Sequence, residues 1–246
     1  MIENVDPQKI RGIDEWPNGG FSVRDRNIVH AFLSNPDNAF IVSFGRTGTH
    51  WLLMLIQAYF QRPGLVGVFF PEFCPDWQDY HRYLYYHTHD HGMFIRGRND
   101  VIYLYRNPVD VVYSTTIFKD VPPTEWTESR VRGLAYMYGA FSDKWFNIPC
   151  AKKTLVYYEA LRQDPVAEWH KITDHFGVDL DTERFKGIFA SLGKKDVKAR
   201  ARPSMSERVV PLSEEYEMAR KEFKERWKCQ VWEEFTKGRQ FLLEYF

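Results

Sequence analysis

The sequence predicts an α/β fold with a central parallel β-sheet flanked by helices, and three stretches predict it. In each, a short apolar run of strand type is followed within a few residues by a helical pattern: residues 39–60, 101–118 and 154–177. Strands joined by helices of this length need crossover connections, which are right-handed and make the strands parallel. Ligands of such sheets lie beyond the carboxyl ends of the strands. Arg46, Arg106 and Tyr158 are expected at that edge.

The elements follow in order. Residues 14–37 hold Pro17, Gly19, Gly20 and Pro36 around one short helical pattern at 23–33, and read as a lead-in to the first strand. The run 39–52, AFIVSFGRTGTHWL, passes from strand through a Gly-rich turn into a mostly buried helix over 51–60. Residues 63–79 carry Phe69, Phe70, Phe73 and Trp77 among three prolines, too irregular for a long element and too apolar for a plain solvent loop, which makes them a candidate pocket wall. The second strand begins at Val101 and delivers Arg106; Asn107 then caps, and Pro108 opens, a helix to about 118. A break at Pro122-Pro123 precedes a helical pattern over 125–146, in which Val131, Leu134, Ala135, Tyr138 and Phe141 share a face. A third strand over 154–158 leads to a helix started by Asp164-Pro165 and ended by Gly177.

At 246 residues the chain fits one domain, 1–246. Lys plus Arg and Asp plus Glu each number 33, so no global field attracts nucleic acid or an anionic membrane, and any anion site must be local. No run is long enough to span a bilayer, and residues 1–10 lack a signal-type apolar stretch, so the expectation is a soluble, cytoplasmic protein. Cys74, Cys150 and Cys229 are far apart and odd in number, which indicates neither a disulfide framework nor a thiolate zinc site. No motif decides the oligomeric state.

The turn within 39–52 is built as a phosphate cradle. Backbone N–H groups of the turn and of the first helical turn converge on one point, with Arg46 adding a charge and Thr47 and Thr49 two hydroxyls. It is not the common NTPase loop, because His50 and Trp51 stand where Gly-Lys should follow Gly45. Where such an NTPase places a magnesium-binding Asp at the end of another strand, this chain places Arg106. Side chains, and no metal, are expected to neutralise the ligand.

Together these runs resemble the PAPS-dependent sulfotransferase family, whose donor is 3′-phosphoadenosine 5′-phosphosulfate (PAPS). The family's first loop, roughly Tyr-Pro-Lys-Ser-Gly-Thr-Thr-Trp, is similar to Phe44-Gly45-Arg46-Thr47-Gly48-Thr49-His50-Trp51; its second motif is similar to Arg106-Asn107-Pro108-Val109-Asp110-Val111-Val112-Tyr113-Ser114; a third, Tyr-Glu ahead of an Asp-Pro helix start, is similar to Tyr158-Glu159 and Asp164-Pro165. The resemblance implies a P-loop-like phosphosulfate-binding loop and transfer of a sulfuryl group from PAPS to an acceptor hydroxyl, with 3′-phosphoadenosine 5′-phosphate (PAP) as product. By position it implies that Arg46 acts at the leaving oxygen, that Thr47, Gly48, Thr49, His50 and Trp51 hold the 5′ side, that Arg106 and Ser114 bind the 3′-phosphate, and that Tyr158 touches the adenine. Two departures stand out. The family's loop lysine is Arg46 here, and its C-terminal Arg-Lys-Gly motif is missing, with Lys194, Lys198, Arg200 and Arg202 in that region outside the pattern.

The family's base is a histidine ahead of the arginine strand, often in Lys-Thr-His; setting that triplet on His87-Thr88-His89 selects His89, with His87 two residues away as the reserve. The competing reading takes His87, His89 and His91 as the zinc ligands of a hydrolase, although the run is one residue short of that pattern. A non-catalytic nucleotide-binding relative is the other alternative. The acceptor is not readable beyond a small-molecule hydroxyl, and the rings of 63–86 favour an aromatic or apolar one.

Overall fold

The computed structural model describes residues 35, 38–65, 69–73, 83–90, 100–118, 126–193, 195–196, 199 and 213–246. Four parallel strands form one sheet in the order β2-β1-β3-β4: β1 (Ala39–Ser43), β2 (Tyr85–Thr88), β3 (Val101–Tyr105) and β4 (Lys153–Tyr157). The two central strands are buried throughout, as expected of uninterrupted apolar runs with helices on both faces.

Side chains alternate across this sheet with a period of two. Phe40, Val42, Tyr103 and Tyr105 face one way, into a core with Tyr138, Phe141 and Trp145 of α3 (Glu128–Asn147) and Phe235 of α7 (Glu214–Phe235). Ile41, Ile102 and Leu104 face the other, against Leu52, Leu53 and Ile56 of α1 (Thr49–Phe60), Trp169 and Ile172 of α5 (Pro165–His175) and Phe185 of α6 (Thr182–Ser191). A third cluster joins Val109, Val112 and Tyr113 of α2 (Pro108–Phe118) to Val131 of α3 and to Phe223 and Trp227 of α7.

Most predicted elements are present with small shifts. The helix after β1 starts at Thr49, two residues early, because Gly48 at its N-cap takes up the left-handed turn. β4 is displaced by one residue, so Tyr158 opens a short helix, α4 (Tyr158–Gln163), and does not end the strand. Asn107 caps α2 as predicted, its side chain accepting from Val109 N at 3.0 Å, and Asp164 caps α5 from Ala167 N at 3.1 Å. Gly177 takes φ 64 just beyond α5.

The expected helix at 23–33, the break at Pro122-Pro123, Trp77, Cys74, His91, Lys194, Lys198, Arg200 and Arg202 lie outside the described residues. Among the described residues no helix is long and apolar enough to cross a membrane. A polar cavity of about 220 Å³, lined by Asn38, Asp100, Lys152 and His175 among others, opens at the N-terminal edge of the sheet, opposite the Gly-rich turn.

Candidate active site

The turn between β1 and α1 is shaped by two residues of positive φ, Arg46 at 72° and Gly48 at 98°, which bracket Thr47. Left-handed backbone at a non-glycine residue is costly and concentrates at ligand sites. A Cβ on Gly48 would overlap the ring of Tyr158, so the turn and α4 approach as closely as a bare backbone permits. No side chain caps α1 and no acidic residue stands in its first turn, which suits an anion at that helix end. The hydroxyls of Thr47 and Thr49 point into the fold. Thr47 donates to the Phe44 carbonyl at 2.9 Å, and Thr49 Oγ1 lies 2.8 Å from Ser43 Oγ.

The two arginines converge over this turn. Arg46 Nε donates to Ser114 Oγ at 3.2 Å, and an Arg106 terminal nitrogen donates to the Arg46 carbonyl at 3.1 Å. The Arg106 guanidinium lies over the Tyr158 ring, 4.5 Å from its centroid. Among the described residues its Nε is buried with no hydrogen-bond partner, and it makes an ion pair with Glu159 Oε1 at 3.6 Å. The Arg106 guanidinium thus carries a buried N–H that makes an ion pair and no close hydrogen bond, next to Arg46. Tyr158 and Trp51 stand edge to face at 5.8 Å, with the Trp51 indole N–H anchored on the Leu192 carbonyl at 2.8 Å. His50 turns away toward Phe69, their rings 5.6 Å apart.

Arg106 is fixed by residues distant in sequence. The Tyr138 hydroxyl, raised well above an ordinary phenol by burial and so held as a proton donor, donates to the Arg106 carbonyl at 2.8 Å and accepts from its N–H at 3.0 Å. Glu159 accepts from Asn107 N at 3.2 Å; burial raises its carboxyl, with Arg106 pulling the other way. Asp110, in the first turn of α2, is clamped by Arg220 and Lys224 of α7 at 2.8 and 2.9 Å. Burial would raise that carboxyl, but the Arg220 and Lys224 hydrogen bonds outweigh it and hold it below the usual carboxylate value. Tyr216, at the start of α7, feels the charges of Arg106 and Arg46, and burial still lifts its phenol.

The histidines meet the same turn from β2, through Ser43. His89 Nδ1 lies 2.9 Å from the Ser43 carbonyl, and His87 Nε2 lies 3.2 Å from Ser43 Oγ. The imidazoles stand edge to face at 4.6 Å. Among the described residues no group of three or more His, Cys, Asp or Glu side chains is placed to hold a metal, and Asp90 is ion-paired with Lys144. The sequence-predicted residues Arg46, Gly48, Trp51, Arg106, Ser114 and Tyr158 are therefore together, with His87 and His89 linked to them through Ser43 and Thr49. Phe69 and Phe70, expected in a pocket wall, are buried in the core, where Gln57 accepts from both backbone N–H groups at 2.9 and 3.3 Å. Ser43, Glu159, Tyr138 and the Asp110 clamp were missed. The Glu159 and Asp110 positions could have been found, since both stand inside the quoted motifs.

A family model described as "Sulfotransferase domain" matches residues 36–240. No curated protein sequence matches the chain. Among solved structures, mouse sulfotransferase SULT7A1 complexed with PAP is similar at a TM-score of 0.59 and 17% identity, covering 86% of this chain and 89% of that one. A retinol dehydratase in complex with androsterone and inactive cofactor PAP gives a TM-score of 0.49 and 13% identity, covering 80% and 81%. At such identities the first likeness speaks for the fold, and the family model for the family.

Proposed function

The chain belongs to the sulfotransferase family, and we propose that it moves a sulfuryl group from PAPS to an acceptor hydroxyl with the residues gathered at the C-terminal edge of its sheet. One observation carries the assignment of residues: Arg46, Arg106 and Ser114 converge above a left-handed turn at the start of α1.

Arg106 and Ser114 hold the 3′-phosphate, the buried Arg106 Nε and the Ser114 hydroxyl supplying donors to its oxygens. Tyr158 and Trp51 flank the adenine. The turn and the first N–H groups of α1 take the 5′ side. Arg46 now spends its Nε–H on a neutral hydroxyl. An anionic oxygen is a stronger acceptor, so donor binding draws Arg46 from Ser114 to the oxygen joining phosphorus to sulfur. The acceptor oxygen then attacks sulfur in line, the bond from sulfur to that bridging oxygen breaks, and PAP departs with the electron pair, stabilised by Arg46. The proton of the acceptor hydroxyl passes to Nε2 of His89. A carbonyl can only accept, so the 2.9 Å contact with the Ser43 carbonyl favours the hydrogen on Nδ1 and the lone pair on Nε2, with Ser43 Oγ at a longer 3.5 Å from the same Nδ1.

The chain works as one domain in the cytoplasm on a small-molecule acceptor, of which the ring-rich composition of residues 63–86 favours an apolar or ring-bearing kind. Calorimetry with PAP and with adenosine 5′-phosphate, without magnesium, tests the donor site. PAP should bind the tighter of the two, and Arg106→Ala should cost about ten- to a hundred-fold in PAP affinity while leaving the 5′-phosphate nearly unchanged. Equal affinities for the two nucleotides would sink the assignment. A radiolabelled-donor screen across acceptor classes identifies the acceptor, and activity that survives EDTA separates this reading from the zinc one.

A further inference from the structure

We propose that Tyr138 of α3 is a positioning residue for Arg106 and thereby sets the preference for a 3′-phosphorylated nucleotide: its hydroxyl fixes the Arg106 backbone while its ring packs on Phe44, at the foot of the turn that carries Arg46. This rests on the reading of Arg106 as the ligand of the 3′-phosphate.

The pairing of β3 with β4 ends at Tyr105 and Tyr157. Arg106 is the next residue, and both of its backbone polar groups turn to one side chain. The Tyr138 hydroxyl accepts from the Arg106 N–H at 3.0 Å and donates to the Arg106 carbonyl at 2.8 Å. One hydrogen and two lone pairs let a hydroxyl do both at once. Asn107 then donates its N–H to Glu159 and caps α2, so the backbone is held at two successive residues where the chain leaves the sheet.

Tyr138 serves as a fixed point because the core holds it still. It is fully buried, with its ring 4.9 Å from that of Phe44 and 5.2 Å from that of Phe235. Gly139 beside it lies against the Phe235 carbonyl. Phe44 directly precedes Gly45 and Arg46, so the ring bears on the turn of the 5′ side while the hydroxyl holds the end of β3. The spacing of the two arginines is thereby set from the core, and the Arg106 side chain completes it by donating to the Arg46 carbonyl at 3.1 Å. In Tyr138→Phe the ring packing stays, but the Arg106 N–H and carbonyl face a phenyl edge and the strand end must shift to find other partners. Arg106 then meets a 3′-phosphate correctly for only part of the time, and the apparent affinity falls by that fraction.

Calorimetry with PAP and with adenosine 5′-phosphate tests the proposal on four full-length proteins: the native chain, Tyr138→Phe, Arg106→Ala and the double variant. Tyr138→Phe should weaken PAP about five- to twentyfold and adenosine 5′-phosphate by less than about twofold. In the Arg106→Ala background the same change should cost PAP less than about twofold, because the residue it positions is gone. A Tyr138→Phe protein that melts lower yet keeps the native preference for PAP overturns the proposal, as does a loss of PAP affinity equally large with and without the arginine. A preference that survives Arg106→Ala overturns the reading of Arg106 and this proposal with it; one lost in Arg106→Ala but kept in Tyr138→Phe removes the role of Tyr138 alone. Should Tyr138→Phe not fold, hydrogen exchange of the Arg106 amide in the nucleotide-free native chain decides. Exchange as slow as that of the β3 amides paired with β4 is expected, and exchange as fast as that of an exposed loop amide overturns the proposal.

Discussion

At the scale of single residues, the site depends on where the backbone can go. Gly48 combines φ 98 with contact against the Tyr158 ring, so Gly48→Ala must both strain the turn and displace the ring proposed for the adenine. The left-handed conformation alone costs an alanine about 1–2 kcal/mol. The variant should therefore melt lower and lose most of its PAP affinity, and unchanged calorimetry would show that the turn is not part of the donor site. Arg46 tests the chemistry more directly. Arg46→Ala should lower turnover of radiolabelled donor more than it weakens PAP binding, since its proposed role is to meet charge that develops during transfer. Arg46→Lys should restore much of the rate, and a lysine variant as inactive as the alanine one, though folded, would count against the loop's assignment. The residues of these motifs were legible because each motif is contiguous: the turn, the strand-end arginine and the Tyr-Glu pair announce themselves within a dozen positions. Their supports were not. Tyr138 reaches Arg106 across 32 positions, Lys144 reaches Asp90 across 54, and Arg220 reaches Asp110 across 110, and nothing local in either partner marks the pairing.

At the scale of elements, α7 explains what the sequence left unread. It is heavily charged, and of its 22 residues only Phe223, Trp227, Val231 and Phe235 are buried, one every four positions, a stripe too narrow to stand out among the charges. Its packing is nevertheless tight: a Cβ on Gly139 of α3 would collide with the Phe235 carbonyl. Backbone cannot yield as a side-chain tip can, so Gly139→Ala should cost about 1–3 kcal/mol or more by denaturant unfolding, despite the better helix propensity of alanine. A gain in stability would mean that the two helices do not meet as described. The C-terminal end of α5 carries the other element-scale consequence. Burial, aided by the charge of Lys152, lowers His175 to about 4, and its Nδ1 pairs with Thr154 Oγ1 at 2.8 Å. The folded value lies below the unfolded one, so above pH 6.5 both states are neutral and the fold has its full stability. Stability falls as pH drops from about 6.5 toward 4, while the unfolded chain alone takes the proton, by up to about 3 kcal/mol. Urea unfolding across that window should show the slope in the native chain and a flatter one in His175→Asn; identical slopes would assign the acid loss to other groups.

For the whole molecule, the parallel sheet, its strand edge and the two-sided core were legible because crossover lengths and apolar runs constrain topology strongly. The acceptor was not, because it depends on which side chains surround one pocket and not on topology. The proposed donor site has an architectural consequence. Its residues come from the β1–α1 turn, the end of β3, α2 and the start of α4, and α7 is tied to α2 through Asp110. Residues 46 to 224 thus share one network, and no subset could hold the donor alone. The chain should therefore unfold as a single cooperative unit, with far- and near-ultraviolet dichroism tracing one transition. PAP binds only the native state, so at a hundredfold excess over its dissociation constant it adds about 2.7 kcal/mol of stability. For a chain of this size that corresponds to a rise of about 5–10 °C in Tm. The whole transition should move, because the ligand's contacts span both layers of the fold. Two transitions, of which PAP shifts only one, would mean that the chain is divided into separate units and that the donor site belongs to one of them.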